Sequence, residues 1–135
     1  MDSYSNDDKN IRINRFIKAE FLPAVEKYKL AKKLLENWSI ETDAMIYQFC
    51  SECSDKLYEA VEHFLREAIA MDTNNITSLI GLCDKVKDDS RFSDIELSVF
   101  VTKKEPRNAS THHGRLQELG DYQRVIDNLI KLIHI

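Results

Sequence analysis

The stretch Thr42–Met71 (TDAMIYQFCSECSDKLYEAVEHFLREAIAM) decides the fold. Ile46, Phe49, Cys50, Cys53, Leu57, Ala60, Val61, Phe64, Leu65, Ala68 and Ile69 recur at spacings of three and four. That period lays them along one stripe of an α-helix. Glu52, Asp55, Lys56, Glu59, Glu62, His63, Arg66 and Glu67 take the opposite face, where His63 among charged neighbours reads as a solvated residue. At ~1.5 Å per residue such a helix is about 45 Å long, which is long for a small domain.

The flanking sequence supplies further helices. Before it, Ile17, Phe21, Ala24, Tyr28, Ala31, Leu35 and Trp38 make a second periodic face from about Ile11 to Trp38. Pro23 should kink or split that helix, and Ser39 or Thr42 should cap the next one. After it, Asp72-Thr73-Asn74-Asn75 is turn chemistry that can also cap a third helix, whose short stripe is Ile76, Leu79, Ile80, Cys83 and Val86. In residues 92–102, Phe92, Ile95 and Val99 fit a helix, while Ile95, Leu97, Val99 and Val101 also alternate as a strand would. A lone strand would have no partner, so a helix is expected. Pro106 suits a first helical turn, and the helix begun there should reach about Leu119, with Gly120-Asp121 as a weak point. Tyr122, Val125, Ile126, Leu129, Ile130 and Ile133 then form a last buried face. The expected architecture is all-α: one domain over residues 1–135, an antiparallel bundle of four or five helices, with residues 1–9 flexible.

Composition agrees. The chain has 135 residues, of which 43% are hydrophobic and 31% charged, enough to bury a core without metals or disulfides. Three glycines and two prolines leave little punctuation for an all-β fold. There is no apolar run long enough to span a bilayer, and the N-terminus is polar and acidic, unlike a signal peptide, so a cytoplasmic location is expected. Cys50, Cys53 and Cys83 are an odd count and imply no disulfide framework. The Cys50/Cys53 pair forms a CxxC with only His63 and Cys83 to complete a zinc site. Burial on the helical stripe is the better account of both.

The net charge is −4, which excludes a generic nucleic-acid binder. It is unevenly spread: residues 1–101 carry −6, residues 102–115 carry +3 and residues 116–135 carry −1. The one basic window contains Pro106-Arg107-Asn108-Ala109-Ser110-Thr111-His112-His113-Gly114. A guanidinium can hold a phosphate bidentately and stay charged. An imidazole can move protons near neutral pH, and a helix start beside them favours an anion.

Arg107, Asn108 and His112 stand as R-N-x-x-x-H at the start of the last long helix of an expected bundle. This resembles the HEPN domains, whose motif is R-x(4–6)-H, very often with Asn after the Arg. Asp55–Leu65 and Ile76–Ile80 look like that family's central helix and the shorter helix after it. The likeness covers about residues 10–134. The tyrosine that one toxin branch carries two residues after the histidine is absent, since Gly114 stands there, and the adenylylation control of that branch is not implied. The resemblance implies a metal-independent endoribonuclease that needs no cofactor and acts as a homodimer on RNA in a cleft shared by two protomers. Such enzymes serve as toxins or in antiviral and stress responses, with an antitoxin or regulatory protein as a further partner. Arg107 would stabilise the phosphate, His112 would be general acid/base and Asn108 would support them. Successive helical residues point about 100° apart, so only one of His112 and His113 can be central. The alternative is a catalytically silent HEPN-like module that binds a protein partner.

Overall fold

The computed structural model describes residues 6–69, 72–101, 103–105 and 111–135. Among these the chain is helical, with no strand. Helix α1 (Asn6–Phe16) runs through a π-helical turn (Ile17–Phe21) into α2 (Leu22–Leu35). The apolar period begins only at Ile11, yet the helix already starts at Asn6. Pro23 has no amide hydrogen and its ring crowds the carbonyl four residues back. The chain meets that demand by widening one turn rather than breaking, and the helix resumes at Leu22. The widened turn also rotates Glu20 and Phe21 inward, and both are buried.

A tight connection leads into α3 (Ile40–Ile69). Its cap is Ser39: Thr42 N donates to Ser39 Oγ at 3.2 Å, and Ser39 N donates to Thr42 Oγ1 at 3.0 Å. The two side chains thus satisfy each other's free amide, a reciprocal capping arrangement. The α3 stripe is buried as its period requires, Phe49 and Ile69 only partly. The short connection makes α2 and α3 antiparallel neighbours, tied across the surface by Lys27–Glu52 at 3.0 Å. Arg12 reaches Glu67 at 2.7 Å near the far end of α3.

Next come α4 (Leu79–Val86) and two 3-10 turns, Ser90–Phe92 and Leu97–Phe100, before α5 (His112–Ile133). Ser78 caps α4 by accepting from Gly81 N at 3.0 Å, a role the sequence reading gave to Asp72–Asn75. Leu82, Cys83 and Val86 are buried, whereas Ile80, expected on that stripe, is exposed. The segment 92–102, expected as a helix, holds only the short 3-10 turns in its described part. Asn128 holds it to α5: Glu96 N donates to Asn128 Oδ1 at 2.7 Å.

The all-α bundle expected from the sequence is what forms, with α1–α2 antiparallel to α3. Helix α5 runs beside α3 in the same sense, since Asp43 meets Arg115 and Tyr58 lies beside Asp121 and Val125. A parallel pair cannot be joined by a tight turn, and the described residues 72–101 and 103–105 lie between the two helices in sequence. Gly120 does not interrupt α5, because Leu119 and Tyr122 on either side are anchored in the core.

Candidate functional site

The residues singled out by the motif divide in two. Arg107 and Asn108, with Pro106, lie outside the described residues. His112 and His113 open α5 and are exposed. Helix α5 runs from His112, and the expected start at Pro106 lies outside the described residues. Thr111 is its cap, with extended backbone and Oγ1 accepting from Gly114 N at 2.9 Å. A threonine hydroxyl in that place satisfies an amide that the first helical turn leaves open. The two imidazoles thus stand on a capped helix start, where the backbone dipoles favour an anion.

Directly beneath them is a buried charged cluster that the sequence reading missed. Arg115 is 1% exposed. Its Nε and Nη2 donate to the two carboxylate oxygens of Asp43 at 2.8 and 2.9 Å. Its Nη1 donates to Glu118 Oε2 at 3.2 Å, and its guanidinium lies 5.3 Å from the Tyr47 ring centroid. Asp43 also accepts from Trp38 Nε1 at 3.0 Å. The fork of the guanidinium matches the carboxylate, which fixes angle as well as distance. The hydrogen bond to Asp43, above all, raises the Arg115 pKa further. These bonds lock the first turn of α5, and with it His112, to the first turn of α3.

The signal that could have found Arg115 is its register. It stands one turn before the buried stripe of Leu119, Tyr122, Ile126 and Leu129, so it falls at a core position. In sequence it appeared only as one more charge in the basic window.

Below the ion pair the core stays polar for another turn. Cys50 packs against Glu118, and burial first and that carboxylate second push its thiol pKa far up. Burial also raises Tyr122 strongly, with Glu118 adding to the effect, and raises Cys53 to about 12. Cys83 is raised to about 11 by burial. These are protonated, enclosed thiols rather than nucleophiles or ready metal ligands. The expectation that Cys50 and Cys53 sit on the buried stripe holds. Among the described residues no group of His, Cys, Asp and Glu is placed to hold a metal ion.

His63, expected to be solvated, keeps a side chain 37% exposed but also has partners in the fold. Its Nδ1 lies 2.8 Å from Glu20 Oε1, and its ring stacks on Phe16 at 4.3 Å. It is the partner that the inward-turned Glu20 requires.

The basic window is held by α3. Ser54 Oγ donates to Lys104 O at 2.6 Å, and Lys103 Nζ donates to Asp55 Oδ1 at 2.6 Å. Leu116, one turn beyond His112, is 53% exposed. No helix among the described residues is long and apolar enough to cross a membrane. In comparisons with known proteins the chain matches no family model, no curated protein and no solved structure.

Proposed function

We propose that this chain is a metal-independent endoribonuclease of HEPN type, working as a homodimer with the motifs of two protomers in one cleft. The observation that carries the reading is His112, exposed on a capped helix start whose first turn is clamped from below by Arg115 and Asp43. Proton transfer needs an imidazole that substrate can reach and that is held in a fixed place. In the reaction, the ribose 2′-oxygen attacks the adjacent phosphorus and the bond to the 5′-oxygen breaks. The products are a 2′,3′-cyclic phosphate and a free 5′-hydroxyl. The imidazole of His112 takes the 2′-hydroxyl proton from one side, and that of the second protomer protonates the leaving oxygen. Arg107 holds the charged phosphate and Asn108 supports it. No metal is required for these steps.

The test is purified protein incubated with RNA in EDTA. Cleavage giving 2′,3′-cyclic phosphate ends, reduced roughly 10²- to 10⁴-fold in both Arg107→Ala and His112→Ala, is the expected result. Cleavage that survives both substitutions sinks the assignment. Exposed Leu116 beside His112 favours a second reading, a silent module whose apolar spot is covered by a protein partner. In that case RNA stays intact and a protein co-purifies, and growth arrest relieved by either substitution speaks for the enzyme. The toxin, antiviral or stress-response setting and any antitoxin partner belong to the same proposal, as does a cytoplasmic location.

A further inference from the structure

The fold sorts the charges of the chain in a way that their linear sum hides. Residues 6–35 carry eight Lys and Arg against four carboxylates, whereas α3 carries seven carboxylates against Lys56 and Arg66. Summed over residues 1–101 the two nearly cancel, but α1–α2 and α3 turn separate faces outward.

In the basic window beside the motif, little described charge is left over. Lys103 is paired with Asp55, and Arg115 is buried against Asp43 and Glu118. On α1–α2, Arg12 and Lys27 are paired with Glu67 and Glu52 of α3. The other cations of this region differ. Arg15, Lys18, Lys29, Lys32 and Lys33 are exposed, and among the described residues none of them has an ion-pair partner. Glu26 and Glu36 are the exposed acids of the same stretch, so five cations against two acids leave this face at +3.

The face leads to the motif. Lys32 stands on the α5 side of α2, its ammonium 5.8 Å from the Tyr28 ring centroid. Tyr28 is buried, and burial first and the Asp127 carboxylate second raise its pKa, so this flank of α2 meets the Asp127 flank of α5. His112, Leu116, Gln123 and Asp127 follow at steps of four, seven and four. That period puts His112 on the same flank and turns His113 about 100° away. The Lys27–Glu52 and Asp43–Arg115 pairs fix the levels of the three helices. At ~1.5 Å per residue, Lys29, Lys32 and Lys33 stand roughly 9–15 Å along the bundle from His112. Gly120 is at the same level of α5, and a Cβ added there would meet no atom within 4 Å.

We propose that the outer face of α1–α2, continued over the α2–α5 flank to His112, is the track that holds the sugar–phosphate backbone of single-stranded RNA. The ligand class rests on the ribonuclease reading, whereas the unpaired cations and their place do not. A row of ammonium groups binds phosphates whatever the bases are. The acidic face of α3 repels the same strand, which confines it to one side of the bundle.

The experiment is fluorescence anisotropy of a labelled 2′-O-methyl RNA oligonucleotide with the full chain carrying His112→Ala, at several salt concentrations. Binding should weaken as salt rises. Lys29→Gln, Lys32→Gln and Lys33→Gln together should weaken it at least about tenfold and lower the slope of log affinity against log salt by about 2. Their thermal midpoint should hold, since these side chains have no ion pair to lose. Gly120→Glu should also weaken binding without lowering the midpoint. The same change of charge made elsewhere, Lys56→Gln with Lys85→Gln and Lys87→Gln, should leave affinity and slope alone. The proposal is overturned if no RNA binds, if the α2 triple variant binds like the parent, or if the control triple loses as much. Equal competition by polyglutamate also overturns it and makes the face one for an acidic protein. In chains that keep His112, cleavage with an unchanged KM in the α2 triple variant removes the track and leaves the enzyme. RNA binding that the α2 triple variant loses, with no cleavage by the parent, does the reverse.

Discussion

The two halves of the α3–α5 interface are built from different chemistry. Toward the C-termini, Val61, Phe64, Leu65 and Ala68 share a core with Ile126, Leu129 and Leu132. Toward the N-termini the same helices bury Asp43, Arg115, Glu118, Cys50, Ser54 and Tyr122. The apolar half is stabilised by area removed from water and tolerates swaps of similar volume. The polar half removes two carboxylates and a guanidinium from water, and an apolar replacement could be as stable or more so. What it provides is direction: a bidentate fork sets the position of one helix start against another, just where the exposed histidines stand.

Substitutions can separate the two halves. The largest effect is expected for Arg115→Met, which removes the fork and leaves Asp43 and Glu118 buried without it. Thermal or urea unfolding should show a loss of about 3–5 kcal/mol. If Asp43→Leu and Glu118→Leu added to it restore much of that stability but not RNA cleavage, the cluster serves position rather than stability. A mild effect of Arg115→Met alone would break the comparison.

Leu129→Ala, in the apolar half, should cost about 3 kcal/mol by the cavity it leaves. Measured by chemical denaturation, that loss should leave the motif end intact and any cleavage per folded molecule unchanged. Thr111→Ala is the smallest change, about 1 kcal/mol from the lost cap. Hydrogen exchange should register it at the amides of His113, Gly114 and Arg115, with the apolar half unaffected.

The apolar half could be read from the sequence, and the polar half could not, for a definite reason. The stripes of α3 and of α5 from Tyr122 onward repeat locally, and a local pattern is enough to place a helix face. Arg115 is buried because of Asp43, 72 residues away, and no window of sequence shows that pairing. Gly120 looked like a break because a glycine weakens a helix by roughly 1 kcal/mol, less than the packing of Leu119 and Tyr122 supplies. In residues 92–102 the apolar positions fit two periods at once, and neither period shows turns tied down by Asn128. For the site, position on the last long helix was legible for His112 and His113, while the clamp that holds them was not.

The parallel run of α3 and α5 sets an order of events in folding. Helices α2 and α3 meet across a short turn, so their contacts close early. Asp43 and Arg115 stand 72 residues apart, so their pairing closes a longer loop, at an added cost on the order of 1 kcal/mol. The helix start that carries the histidines is therefore set after the α2–α3 pair, by a clamp that a nascent chain can make only once Arg115 has been synthesised.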